Sequence, residues 1–188
     1  MPSLGVPEGV VVRSLPPHPD SRGILVEIYR ESWDLGCRPV QLNVVSSASG
    51  VLRGVHVHVR HADHLVVVAG RMVLGLHDLR PWSTTAGVSQ LLEITADSFH
   101  AVVIPPGVAH GFYFPVPSMH VYGVSHYWDL ADEMSCRWDA DELGLAWPTG
   151  SPILSERDAA AGGYKAFEDK FLDVWSRVHG TASEESRR

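Results

Sequence analysis

Hydrophobic positions in the first two-thirds of the chain fall in short runs: GVVVRSL, GILVEIY, PVQLNVVSS, HLVVVAGRMVLGLHDL, SQLLEIT, FHAVVIPP, HGFYFPV and MHVYGVSHYW. Val, Ile, Leu and Tyr dominate them, and clusters of Gly, Pro, Ser and Asp (PHPDSRG, RPWSTTAG, VPS) separate them. Short β-forming runs at this spacing predict the strands of a sandwich or barrel over residues 8–128. Strand–helix–strand alternation does not occur, which argues against a doubly wound parallel sheet. Eight or more short strands, each burying one face in a single small domain, predict an all-β jelly roll.

After Trp128 the pattern changes. Residues 129–158 read as loop with short helical turns. AGGYKAFEDKFLDVWSRV then carries Phe167, Phe171, Leu172 and Trp175 at helical spacing, which predicts a C-terminal helix. The end, GTASEESRR, is polar throughout. The expectation is one domain over residues 1–180 and a disordered tail at 181–188. We find no internal repeat.

Strict alternation in GVHVHV sends His56 and His58 to one face of a strand and Val55, Val57 and Val59 to the other. The same alternation sends Arg53 away from His56, so Arg53 shares a site with it only if the chain turns or bulges at Gly54. Residues 56–64 hold four of the eleven histidines, His56, His58, His61 and His64. So much imidazole on one strand points to a metal site or a proton-transfer site, with a satisfied core histidine as the bland alternative.

Composition narrows the partners. The net charge is −7, so there is no basic footprint for nucleic acid, and an anionic substrate would need local arginines. Cys37 and Cys136 are far apart and form no C-x-x-C motif, as expected of reduced thiols in a cytoplasmic protein. The N-terminus lacks the charged and apolar regions of a signal peptide. No apolar run approaches the ~18–20 residues of a membrane span, so no membrane partner is expected.

Two resemblances follow from the motifs. Gly50, His56, His58, Asp63 and Gly70 have the order and spacing of the first cupin motif, with Asp in place of the usual Glu. Pro105, Gly107 and His110 match part of the second, although Phe114 stands where that motif has Asn. This resemblance implies a β-sandwich with His56, His58, Asp63 and His110 where metal-binding cupins keep their ligands. Three imidazoles and a carboxylate suit one divalent transition metal such as Zn, Fe, Mn or Ni, with open positions.

A longer match covers residues 20–158. DSRGILVE, QLN, GVLRGVH, a β-hairpin ending in DLR, IPPGVAHGF, VYGVSHYW, Trp138, LGLAWP and LSERD occur in order. This sequence is similar to the dTDP-4-dehydrorhamnose 3,5-epimerase family, cupin-fold enzymes that work without a metal. The resemblance implies a nucleotide-sugar substrate, no cofactor, and a homodimer that exchanges N-terminal strands. It makes His56 the base, Asp158 the carboxylate that orients it and Tyr122 the acid on the opposite face of the sugar. Arg22, Glu27, Gln41, Asn43, Arg53 and His110 match groups around the substrate.

The chemistry accounts for these residue types. A 4-keto group acidifies the C–H bonds at C3 and C5, and histidine is the base best matched to neutral pH. Arginine's fork suits diphosphate oxygens. The bland alternatives are an aromatic that fills the barrel at Tyr122, a surface loop carboxylate at Asp158 and a solvated turn charge at Arg22.

Three positions depart from the family pattern. The family places a lysine after the base, where it stabilises charge on O4. This chain has Asp63 or His64 there, depending on where one gap falls, and protonated His64 is the candidate replacement. Leu74 stands at a family acidic position, and His58 where Gln is common. Epimerisation at C3, C5 or both is the favoured function. The alternatives are a metal-dependent cupin isomerase or oxygenase using His56, His58, Asp63 and His110, and a relative that binds a nucleotide sugar without turnover.

Overall fold

A computed structural model of the chain describes residues 5–180. The predicted tail, and residues 1–4, lie outside the described residues. In chain order the strands are β1 (Val11–Ser14), β2 (Pro17–Asp20), β3 (Gly23–Val26), β4 (Gln41–Ser47), β5 (Leu52–Val57), β6 (Asp63–Ala69), β7 (Arg71–Asp78), β8 (Ser89–Thr95), β9 (His100–Ile104), β10 (Val108–Tyr113), β11 (Ser118–Val124) and β12 (Met134–Ser135). Two helices follow, α1 (Glu156–Ala159) and α2 (Tyr164–His179).

Ten of these strands form two five-stranded sheets, ordered β1-β9-β6-β11-β4 and β12-β5-β10-β7-β8, while β2 and β3 pair as a separate hairpin. Every strand pairing is antiparallel. This is the all-β jelly roll that the short strands predicted.

Two details differ from the sequence reading. PHPDSRG, read as punctuation, supplies β2 and the tip of an exposed hairpin. The expected hairpin ending in DLR is not one: β6 and β7 join at Gly70 but enter opposite sheets. Gly70 has φ +74°, and a Cβ there would meet Pro117 O at 2.5 Å, so the chain turns this corner only with glycine.

Side-chain alternation then divides the molecule into layers. Leu65, Val67, Met72, Leu74, Leu76, Val102 and Phe114 fill one end of the space between the sheets. Leu74 is fully buried there. On the outer face of the second sheet, Val55, Val57, Val59 and Val73 pack against Trp147, Phe167 and Phe171 from the C-terminal segment. Gly75 leaves the room for Trp147, whose Cζ2 would lie 2.7 Å from a Cβ at that position. The end of the sandwich not filled by this core holds polar side chains from β5, β6, β10 and β11.

Candidate active site

The central side chain is His56 on β5. A neighbour of the opposite sheet, Tyr122 on β11, lines the same cavity of about 620 Å³. Arg53, Phe112, His120 and Trp128 complete much of its wall. Arg53 and His56 share this cavity because the strand is irregular between them. The β5–β10 register pairs His56 with His110 but Arg53 with Phe112, one residue out of step. Gly54 takes φ +118° at this point, and a Cβ there would lie 2.7 Å from Gly111 Cα. The condition the sequence set for Arg53 is met.

His56 Nε2 lies 2.7 Å from Asp158 Oδ1. Asp158 sits in the single turn of α1, whose N-terminus is capped by Ser155 accepting from the Asp158 N–H at 3.1 Å. Burial pushes the Asp158 carboxyl up, but the His56 contact and the Ser155 and Gly54 hydrogen bonds outweigh it and leave it below the usual value. Asp158 is therefore an anion held against one edge of the imidazole, and it fixes a ring proton on Nε2. That leaves Nδ1 as the basic nitrogen.

The other edge of the ring meets a group that the sequence did not single out. Glu133 Oε1 is 3.1 Å from His56 Nδ1. Arg157 Nη2 is 2.7 Å from the same carboxylate oxygen and 3.1 Å from His56 Nε2. One ring nitrogen cannot donate to Asp158 and accept from Arg157 together, so the shorter contact, 2.7 Å to Asp158, makes Nε2 the donor. Glu133 can accept a second ring proton from Nδ1, and that proton must leave before Nδ1 acts as a base. Trp128 Nε1 donates to Glu133 Oε2 at 2.9 Å, which ties the segment after β11 across the mouth of the cavity.

Behind this wall lies a smaller chamber of about 80 Å³ that shares His56, Tyr122 and Glu133 with the outer cavity. His58, His61, Asp63 and His110 line it. Burial holds the His58 and His110 imidazoles well below their usual range, His110 at about 3. Burial also lifts Asp63 to about 7, with His61 opposing and Glu133 and Asp132 adding to the rise. Tyr122 is raised by burial and by the negative charges of Asp63 and Glu133, with Arg53 opposing, so its hydroxyl stays protonated at neutral pH.

A model of the dTDP-4-dehydrorhamnose 3,5-epimerase family matches residues 6–166 of this chain. The chain belongs to this family of isomerases. A family member from Pseudomonas aeruginosa, a dTDP-4-dehydrorhamnose 3,5-epimerase, is 34% identical over 159 residues, which is 80% of this chain and 86% of that protein. A dTDP-4-dehydrorhamnose 3-epimerase from Streptomyces niveus is 32% identical over 167 residues, 84% of this chain and 80% of that one. Among solved structures, a dTDP-6-deoxy-D-glucose-3,5-epimerase from Legionella pneumophila in complex with dTDP-4-keto-L-rhamnose superposes with a TM-score of 0.80 at 27% identity, covering 87% of this chain and 92% of that one.

The residues matched to the family separate into three places. His56, Tyr122, Asp158 and Arg53 line the outer cavity. His110 lies one layer deeper, in the inner chamber. Arg22, Glu27, Gln41, Asn43 and His64 line neither cavity. Arg22 sits at the β2–β3 turn, paired with Asp20 and 88% exposed. Glu27 pairs with Arg30. Gln41 Nε2 donates to Asn43 Oδ1 at 3.0 Å, and Gln41 Oε1 accepts from the Trp128 N–H.

Strand register decides which of Asp63 and His64 faces the interior. Tyr122 pairs with Leu65 and Val124 with Asp63, so these four face the interior, while His64 pairs with Gly123 and faces outward against Tyr29. His64 therefore cannot serve the ketone, and burial lowers its pKa further. Of the two residues, Asp63 is the one that faces the interior.

The sequence also missed Trp128, Glu133 and Arg157 as cavity residues. Glu133 stands in DLADEMS among other acids, and nothing local marks it out. Arg157 adjoins Asp158 in LSERD, which is the one signal available for it. The four-ligand metal set is divided too. Among the described residues, donor atoms converge in His58–Asp63–His110 and in His58–His61–Asp132, and His56 is in neither group.

Buried neutral histidines have a measurable consequence. Burial lowers His64, His77 and His120, the last to about 4, from an ordinary 6.5. The unfolded chain takes up these protons near pH 6.5 while the folded protein resists until lower pH. Stability present above about 6.5 is thus lost as pH falls toward 4, at up to about 1.4 kcal/mol per pH unit for each fully shifted group. Asp63, raised in the fold, works in the opposite direction below about 7. With these three histidines and the likewise lowered His58 and His110 against one raised carboxylate, Tm will fall between about pH 6.5 and 4.5. Scanning calorimetry across that range checks it, and a rising Tm would contradict it.

Proposed function

We propose that this chain epimerises a dTDP-4-keto-6-deoxyhexose at C3, C5 or both, as a step in deoxysugar biosynthesis. His56, with its Nε2–H held by Asp158, removes the proton next to the ketone through Nδ1. Tyr122 returns a proton to the opposite face of the enolate. The observation that carries this reading is the position of the two groups on opposing sheets of one cavity, with His56 held between the buried carboxylates of Asp158 and Glu133. Proton removal on one side and delivery on the other is what inversion of a carbon requires. Arg53 supplies fixed positive charge on the wall, and Arg157 is a second cation at the rim for an anionic substrate. The dTDP substrates in the names of the relatives support the substrate class.

The same reading includes a homodimer. Ile24 and Leu25 on the β2–β3 hairpin and Leu42 and Val44 on edge strand β4 are large apolar groups at 59% or greater exposure. A second copy covers such a surface, and exchange of the hairpin carries Arg22 and Glu27 toward the partner's cavity. Cytoplasm is the compartment in which we expect it to work. No helix among the described residues is long and apolar enough to cross a membrane.

Incubation with dTDP-4-keto-6-deoxyglucose in D₂O tests the reaction by NMR. One exchanged carbon assigns a single-centre epimerase and two assign a 3,5-epimerase. Tight binding with no exchange at either carbon, by folded protein, would leave a nucleotide-sugar-binding protein and end the epimerase reading.

A further inference from the structure

The inner chamber contains lone pairs that face each other. His110 Nδ1 is 3.1 Å from Val108 O, an acceptor only, so this nitrogen carries the proton of the neutral ring. Its Nε2 lone pair then points at Asp63 Oδ2, 3.5 Å away. His61 repeats the arrangement: Nδ1 is 3.3 Å from Asp132 Oδ2, and Nε2 is 3.9 Å from Asp63 Oδ1. Asp132 is itself held by the Val59 and Arg60 N–H groups, both at 3.3 Å. His58 hydrogen-bonds the backbone of Asp132, and its Nδ1, in a residue 7% exposed, has no partner. Carboxylate oxygens and imidazole lone pairs repel when nothing lies between them. A buried cluster of this kind is stable only around a shared cation or proton.

We propose that His58, Asp63 and His110 form a binding site for one divalent transition-metal ion, with His61 beside it and Asp132 and Val108 O as its outer supports. Donor atoms of the three ligands lie within 4.8 Å of one another. The 3.5 Å separation between Asp63 and His110 is close to the edge of about 3.4 Å expected for a tetrahedral site with bonds near 2.1 Å. Each histidine's outer nitrogen is already committed, as in sites where a carboxylate or carbonyl fixes the tautomer of a metal-binding imidazole. Two imidazoles and one carboxylate with open positions suit Zn, Fe, Co or Ni better than Mg or Ca.

His56 stays outside this group and remains a free base. The site lies against the catalytic wall, at the strand position where the family resemblance calls for a cation and this chain has Asp63. A metal there supplies Lewis acidity toward a carbonyl oxygen. That role rests on the epimerase reading, whereas the existence of the site does not.

The test is therefore a binding measurement that needs no substrate. The full-length protein, stripped with EDTA, is dialysed against Zn²⁺ or Co²⁺ and its metal content measured. One equivalent per chain, visible d–d absorption of bound Co²⁺ and a raised Tm are expected. Asp63→Asn and His110→Gln should each weaken Co²⁺ binding by at least tenfold, and His56→Gln should leave it unchanged. Folded wild-type protein that binds less than a tenth of an equivalent would overturn the proposal, since the cluster would then be held by a shared proton. Binding that survives Asp63→Asn, or that is lost with His56→Gln, would equally overturn the assigned ligand set. Deuterium exchange without metal binding would sink this site and leave the epimerase reading intact; metal binding without exchange would do the reverse.

Discussion

A His56→Gln protein will lose deuterium exchange at C3 and C5 of the keto sugar by about 10²–10⁴-fold, the span typical of a deleted general base. The magnitude follows from how little else in the cavity could take over. Among the described residues, Glu133 is the other base within reach of the same edge of the ring, 3.1 Å from Nδ1. Its carboxylate already accepts from Arg157 at 2.7 Å and from Trp128 Nε1 at 2.9 Å. Those two donors already engage the carboxylate as an acceptor and hold it at the rim. Glu133→Gln should therefore cost less than His56→Gln, and mainly in KM, because it leaves the imidazole and Asp158 in place. Asp158→Asn should fall close to His56→Gln in kcat, since it removes the charge that fixes the Nε2 proton and stabilises the imidazolium. If Glu133→Gln abolished exchange while His56→Gln retained it, the roles of the two groups would be exchanged.

How much of this was legible in the sequence depended on the range over which each signal acts. Period-two alternation is local, so GVHVHV sufficed to send His56 and His58 to one side, and both line the interior. The helical stripe through Phe167 and Phe171 was local in the same sense, and both residues are buried against the second sheet. Arg53 required one further fact, the irregularity at Gly54, which glycine's lack of a side chain made readable as a condition.

The choice between Asp63 and His64 was different. A single gap shifts the register by one, and a one-residue shift reverses which side chain faces in. Only the pairing of Val124 with Asp63 and Tyr122 with Leu65 resolves it. Glu133 and Arg157 had no periodic context at all, because the segments that carry them are irregular and reach the cavity through long-range closure. The hairpin ending in DLR failed for a related reason: two strands joined by a glycine look the same in sequence whether they pair or separate into opposing sheets.

Tyr122→Phe should separate the two halves of the reaction. The substitution removes one hydroxyl from a half-buried aromatic in the cavity wall and preserves its packing, so the fold and His56–Asp158 are untouched. His56 will still take a proton from the sugar and return a solvent-derived one to the same face. Exchange is therefore expected to continue at a rate within about tenfold of the wild type, while inverted product falls by about 10²–10⁴-fold. The observable is deuterium accumulating in sugar of unchanged configuration, followed by NMR coupling constants.

The hydroxyl suits this task because burial, Asp63 and Glu133 all raise its pKa, leaving it protonated and ready to donate when the enolate forms. A proton donor is needed only after the first C–H bond has broken, so its deletion should not slow that step. Equal loss of exchange and inversion would mean that Tyr122 acts before the enolate, in binding or in polarising the ketone. Unchanged inversion would mean that another group, with His120 the nearest protein candidate on the same strand, delivers the second proton.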